Sequence, residues 1–130
     1  EGYSKSINIE AGVTLSIAQR QILPVCIDYC ARLAASSGVV SDSSVTCNAI
    51  AKSLQTVSNL VDELDGAVGA LDAVLTKTRQ IGKTVQQARA FRDEVIPAML
   101  AVRNAADALE VVVDAEAWPL PSYAEMLFLR

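Results

Sequence analysis

Between about Val45 and Thr78 the apolar residues fall at Ile50, Leu54, Val57, Val61, Leu64, Val68, Leu71 and Leu75, in alternating steps of four and three. At 3.6 residues per turn that spacing holds one stripe along a helix. Lys52, Asp62, Glu63, Asp65 and Asp72 all miss the stripe. Full burial of each aliphatic side chain is worth about 1.5–3 kcal/mol, so the pattern predicts a helix over about 45–78 packed against other helices. Its length, about 50 Å at 1.5 Å per residue, requires partners that are also long.

Two partners are legible. From about 4 to 35, Ala11, Leu15, Ala18, Ile22, Val25 and Tyr29 keep one stripe, with Val13, Ile17 and Ile27 lying off it. Between Ala11 and Ala35 only Arg20, Asp28 and Arg32 are charged. This helix is therefore apolar around more of its circumference than two neighbours use. Val13, Ile17 and Ile27 become candidates for contact with another domain or subunit; the plainer reading is that Ser, Ala and Gln cover the outer side. From about 84 to 115 a third stripe runs through Val85, Ala88, Val95, Met99, Val102, Ala106, Leu109 and Val113, with Arg92 intruding on it. An arginine there either snorkels past the core edge or pairs with a carboxylate such as Asp62 or Glu63.

Pro24 and Pro97 remove the helical bonds to the Arg20 and Asp93 carbonyls, which predicts a kink in the first and third helices. If these two run parallel they can bend together around the second. The first turn is expected over 36–44, with Gly38 ending one helix and Asp42 to Ser44 offering N-cap oxygens to the next. A second turn is expected near Gly82. Beyond residue 115 the chain changes character: Trp118, Leu120, Tyr123, Met126, Leu127 and Phe128 are interleaved with Pro119 and Pro121. The prolines stop the third helix, and Ser122 with Glu125 has the spacing of a capping box. A short helix over about 122–128 folding back onto the bundle end is expected, which makes those six residues further packing or interface candidates. The fold expected is all-α, one domain over 1–130: an antiparallel bundle of three long helices, two of them kinked at Pro24 and Pro97, plus a short C-terminal capping helix.

Composition narrows function by subtraction. The net charge of −4 and the lack of clustered Lys and Arg argue against a nucleic-acid partner. No uninterrupted apolar run approaches the length that spans a bilayer, so no membrane partner is expected, and the reading is cytoplasmic. The chain opens at Glu1 without an initiator Met, which reads as a segment of something longer. Of the three cysteines, Cys26 and Cys30 stand one helical turn apart, but with no histidine present they read as small packed thiols. Asp62, Glu63 and Asp65 diverge around a helix and read as a solvated face. No phosphate loop or nucleophile elbow is present, and Arg92 has no converging acid or base. Catalytic, cofactor-binding and metal-binding residues are therefore all expected to be absent from this segment.

Two stretches carry a family resemblance. Phe91, Arg92, Asp93, Glu94, Val95, Ile96, Pro97, Ala98 and Met99, continuing through Val102, Arg103, Ala106, Asp107, Leu109 and Glu110 to Trp118, Pro119, Leu120, Pro121, Ser122, Tyr123, Glu125, Met126, Leu127 and Phe128, resemble the carboxyl terminus of type III glutamine synthetase. Tyr3, Lys5, Ile7, Ile9, Glu10, Ala11, Ala18, Ile22, Leu23 and Pro24 resemble the start of the same region in that family, with Gly12 and Val13 replacing bulkier residues. The middle helix matches in periodicity only. The resemblance implies a cytoplasmic ligase that uses ATP and magnesium to phosphorylate the glutamate side chain before ammonia displaces the phosphate. It also implies stacked hexameric rings, with the catalytic domain of the same chain and neighbouring subunits as partners. None of the family's ATP, metal or glutamate ligands maps onto a position here, so the segment is expected to be a non-catalytic appendage supporting assembly or packing. The alternatives are a stand-alone helical interaction or scaffold module and, given an unfilled core cavity, an acyl or lipid carrier.

Overall fold

The computed structural model describes residues 2–113 and Pro119, and among these the regular structure is entirely helical. The first helix comprises Gly2–Ile17 and Leu23–Ser41, joined without a break by a π-helical turn at Ala18–Ile22. The second is Asn48–Arg79. The third comprises Val85–Ala90, a π-helical turn at Phe91–Val95, and Ile96–Val112. The helix expected over 122–128, with Trp118, Leu120, Tyr123, Met126, Leu127 and Phe128, lies outside the described residues.

The second helix follows its stripe closely. Val57, Leu64, Val68, Leu71 and Leu75 are buried, Ile50, Leu54 and Val61 are half-buried, and the stripe runs on to Thr78. Against it lie Ile7, Ala11, Ala18, Ile22 and Cys26 of the first helix and Phe91, Val95, Met99, Val102 and Leu109 of the third, forming one contiguous core. Small side chains at Ala11, Ala18 and Cys26, all at most 1 % exposed, bring the first helix close to its neighbours.

Each expected kink is met by a π turn two residues ahead of its proline. Leu23 N–H donates to the Ala18 carbonyl and Ile96 N–H to the Phe91 carbonyl, the five-residue step of a π turn. A proline ring collides with the carbonyl four residues back and supplies no N–H to it. Widening the preceding turn by one residue moves that carbonyl aside, and the proline then occupies the opening of a new α segment, where its fixed φ is suited. The two turns do not bend side by side: Phe91–Val95 packs against Gly2–Ile17, whereas Ala18–Ile22 packs against Ile96–Val112.

The extra residue in each turn shifts the stripe by one position. Cys26 is inside where Val25 was expected, and Val25 is only half-buried. Phe91 is 2 % exposed, and Arg92 points outward and pairs with its neighbour Asp93 at 2.8 Å instead of with Asp62 or Glu63. Val85, expected on the third stripe, is 69 % exposed.

The helix ends also differ from expectation. The first helix passes through Gly38, where an added Cβ would meet nothing within 4 Å, and ends at Ser41. Asp42 to Ser44 do not cap the second helix, whose N-cap is Cys47 without a side-chain bond. Ser43 instead turns the chain, its Oγ donating to the Val40 carbonyl at 2.7 Å and accepting from Val45 N–H at 3.1 Å. The second turn falls where Gly82 was expected, and Gly82 has φ +82, a left-handed conformation that suits glycine. Thr84 then caps the third helix by accepting from Gln87 N–H at 3.2 Å.

Candidate functional site

An open cleft of about 1070 Å³ lies where the start of the first helix meets the second turn, and Lys5, Asn8, Arg79, Lys83, Thr84 and Gln87 are among the residues lining it. Arg79 is oriented by its Nε donating to Asn8 Oδ1 at 2.7 Å, and Gln87 Nε2 donates to the Thr78 carbonyl at 3.2 Å. The cleft is basic, but it holds no nucleophile beside a base. Its residues come from two distant stretches of the chain, 4–8 and 79–91, so no single local motif could have announced it.

Electrostatics elsewhere are those of a solvated surface. Lys77 to Glu94 at 3.8 Å and Arg103 to Glu10 at 3.9 Å are exposed pairs, each worth little. The Arg92 guanidinium beside Asp93 holds that carboxyl below the usual carboxylate range and raises its own pKa in return. Burial pushes the Cys26 thiol up from 9.0 to about 11, which makes it a poor nucleophile at neutral pH. Cys30 and Cys47 are half-buried and unbridged. Arg32 stacks on the Tyr29 ring, 5.2 Å from its centroid. Among the described residues no group of three His, Cys, Asp or Glu side chains is placed to hold a metal ion.

The interface candidates of the first helix divide. Val13 and Ile27 are 53 % and 51 % exposed, while Ile17 is half-buried against the core. Ile9, which the sequence pattern did not single out as an interface residue, is 60 % exposed one turn before Val13. By length and apolar composition Gly2–Ser41 meets the minimum for a bilayer span, contrary to the expectation drawn from uninterrupted runs, because scattered charges do not break a helix-long average. The same test passes core helices of soluble proteins. Only 11 % of its most apolar window is fully buried; Leu15, Ile17, Leu23, Tyr29, Cys30 and Leu33 are half-buried against the core, and Ile9, Val13, Ile27 and Val39 are among the large apolar side chains that stay exposed.

Comparison with known proteins bears on this same helix. The family model for the glutamine synthetase C-terminal domain matches residues 1–40. The type-3 glutamine synthetase of Dictyostelium discoideum is 29 % identical over 140 aligned residues, covering the whole of this chain and 18 % of the relative. A glutamine synthetase of Bacteroides fragilis (strain YCH46) is 26 % identical over 141, again covering the whole chain and 19 % of the relative. No solved structure matches the chain. The chain thus spans about a fifth of the length of the curated relatives it matches, and by sequence it is similar over its whole length to part of these glutamine synthetases and over residues 1–40 to the glutamine synthetase C-terminal domain.

Proposed function

We propose that this chain is the non-catalytic carboxyl-terminal helical domain of a cytoplasmic, ATP-dependent glutamate–ammonia ligase, and that it supports assembly by packing against the catalytic body or a neighbouring subunit of the oligomer. ATP and magnesium act on the catalytic body, and no step of the reaction is assigned to a residue here. The architecture belonging to this reading is an antiparallel three-helix bundle. Arg79 at the end of the second helix reaching Asn8 near the start of the first supports opposite directions for that pair. Arg103 reaching Glu10, with Phe91 beside Ser4 at the cleft, supports a common direction for the third and first.

The observation that carries the proposal is the outward apolar face of the helix on which the family model matches. Ile9, Val13 and Ile27 are each more than half exposed there. Covering such a face stabilises an assembly by about 25 cal/mol for each Å² of apolar surface removed from water. The test is a Val13→Lys, Ile27→Lys double substitution in the full-length enzyme, with mass in solution measured by sedimentation and glutamine formation assayed in parallel. Dissociation to smaller species with normal helicity is expected. Unchanged mass and unchanged activity would reject the assignment of this face.

A further inference from the structure

Lys5, Arg79 and Lys83 line one cleft in a chain of net charge −4, and among the described residues that line it there is no carboxylate. The ion pairs among the described residues, Lys77–Glu94, Arg92–Asp93 and Arg103–Glu10, use none of the three. A cleft lined by one sign of charge focuses the field and concentrates ions of the opposite sign. The surrounding bonds hold this arrangement in place. Gly82 turns the chain with φ +82, Thr84 accepts from Gln87 N–H, and Gln87 Nε2 donates to the Thr78 carbonyl at 3.2 Å, so the turn that carries Lys83 is tied to the end of the helix that carries Arg79. Arg79 is fixed from the other side. Its Nε donates to Asn8 Oδ1 at 2.7 Å, and its Nη2 lies where a Cβ added at Gly12 would come within 3.1 Å. Asn8 and Gly12 stand one turn apart on the first helix, so Gly12 leaves room for the guanidinium that Asn8 orients.

We propose that the cleft binds a small organic molecule carrying at least two linked phosphoryl groups. Donors reach it from three sides: Lys5 from the first helix, Arg79 from the end of the second, and Lys83 from the turn. A carboxylate is planar and offers its two oxygens to one fork, whereas a tetrahedral phosphoryl group accepts from several directions at once. One phosphate monoester carries about −1.5 to −2 at neutral pH, short of the three positive charges here, and two linked phosphoryl groups meet them. With Nε taken by Asn8, the edge of the Arg79 guanidinium left for a ligand is the one formed by its two Nη groups, which suits a pair of phosphate oxygens. Val85, 69 % exposed beside these cations, and Ala88 give the cleft an apolar wall for the organic part. The volume of about 1070 Å³ is of the order of a small-molecule site. The inference does not depend on the synthetase reading, because its readout is the reactivity of two named lysines and not glutamine formation.

Lysine acylation in the full-length protein, read peptide by peptide by mass spectrometry, tests this with inorganic pyrophosphate as the probe. Lys5 and Lys83 are exposed and should react readily without it. Saturating pyrophosphate should slow both severalfold and leave exposed Lys52 unchanged, since Lys52 stands about 40 Å from Arg79 along the second helix. Sulfate at equal ionic strength should protect much less. Arg79→Gln should raise the pyrophosphate concentration needed for protection about tenfold. Asn8→Ala removes the bond that orients Arg79 but keeps all three charges, and should raise that concentration severalfold. Both substitutions are at solvent-accessible helix positions, and far-UV circular dichroism checks that each variant stays helical. Protection unaltered by Arg79→Gln, or unaltered by Asn8→Ala as attraction by charge alone would leave it, would overturn the proposal. So would equal protection by sulfate, protection that spreads to Lys52, or Lys5 and Lys83 found unreactive before pyrophosphate is added, as a covering stretch of protein would make them.

Discussion

If the π turn at Phe91–Val95 exists because Pro97 forbids the α turn before it, deleting one exposed residue from that turn and replacing Pro97 must be coupled. Arg92 is the residue to delete, since its side chain is exposed and, among the described residues, bonds only to Asp93. Without it, Phe91, Ala90 and Gln87 stand three, four and seven residues before Val95, which is the α-helical stripe. The deletion alone drives the Pro97 ring onto a carbonyl four residues back, at a cost of about 3 kcal/mol. Pro97→Ala alone should move stability by less than about 1 kcal/mol. Phe91 is 2 % exposed, and straightening the helix would turn it outward at a loss of about 1.5–3 kcal/mol, so the π turn persists. The two changes together should return to within about 1 kcal/mol of the parent, leaving an interaction of about 2–3 kcal/mol in the cycle. Urea denaturation followed by far-UV circular dichroism measures it, with an unchanged slope required for each variant. A cycle that closes to within about 0.5 kcal/mol, the deletion costing as much in the Pro97→Ala background as in the parent, would refute the steric origin of the turn.

Thr78 is 1 % exposed and its Oγ1 has no partner among the described residues. An unpaired buried hydroxyl costs about 1–3 kcal/mol, so Thr78→Val should raise the urea midpoint by an amount equivalent to about 1 kcal/mol, and a fall would show that the hydroxyl is bonded. Gly69 sits mid-helix with nothing within 4 Å of an added Cβ, whereas Gly82 has φ +82. Gly69→Ala should gain about 0.5–1 kcal/mol and Gly82→Ala should lose about 1–2 kcal/mol, a difference of sign that thermal melts will read. Cys26 holds its proton more tightly folded than unfolded, its pKa rising from 9.0 to about 11 through burial. Its contribution is therefore fully present below pH 9 and lost as pH rises through about 11, so Cys26→Ala should flatten the alkaline fall in stability measured by melts across that window.

How much was legible in the sequence follows from where the helical period stays constant. The second helix has no proline, and its stripe from Val57 to Leu75 could be read residue by residue. In the first and third helices the expected stripes assumed 3.6 residues per turn straight through Pro24 and Pro97. A single π turn breaks that assumption without any composition of its own, so Val25 displaced Cys26 and Arg92 displaced Phe91 in the expected core. Gly38 misled for a different reason: its helix-weakening effect is a preference of about 1 kcal/mol, which neighbouring residues overrode. The basic cleft was beyond reach because Lys5 meets Arg79 and Lys83 only through helix packing.

Ile9, Val13 and Ile27 are exposed on the outer side of the first helix, where the proposed reading puts a larger body. If core packing alone governed likeness to the synthetase family, the match should fall on the second helix, whose stripe is the most regular in the chain. The family model instead matches residues 1–40, the helix whose most apolar window is only 11 % buried in this fold. On the proposed reading, this helix gains further stabilisation from a body that covers its exposed Ile9, Val13 and Ile27. For that reason the double lysine substitution at Val13 and Ile27 should damage the assembled enzyme more than it damages this domain.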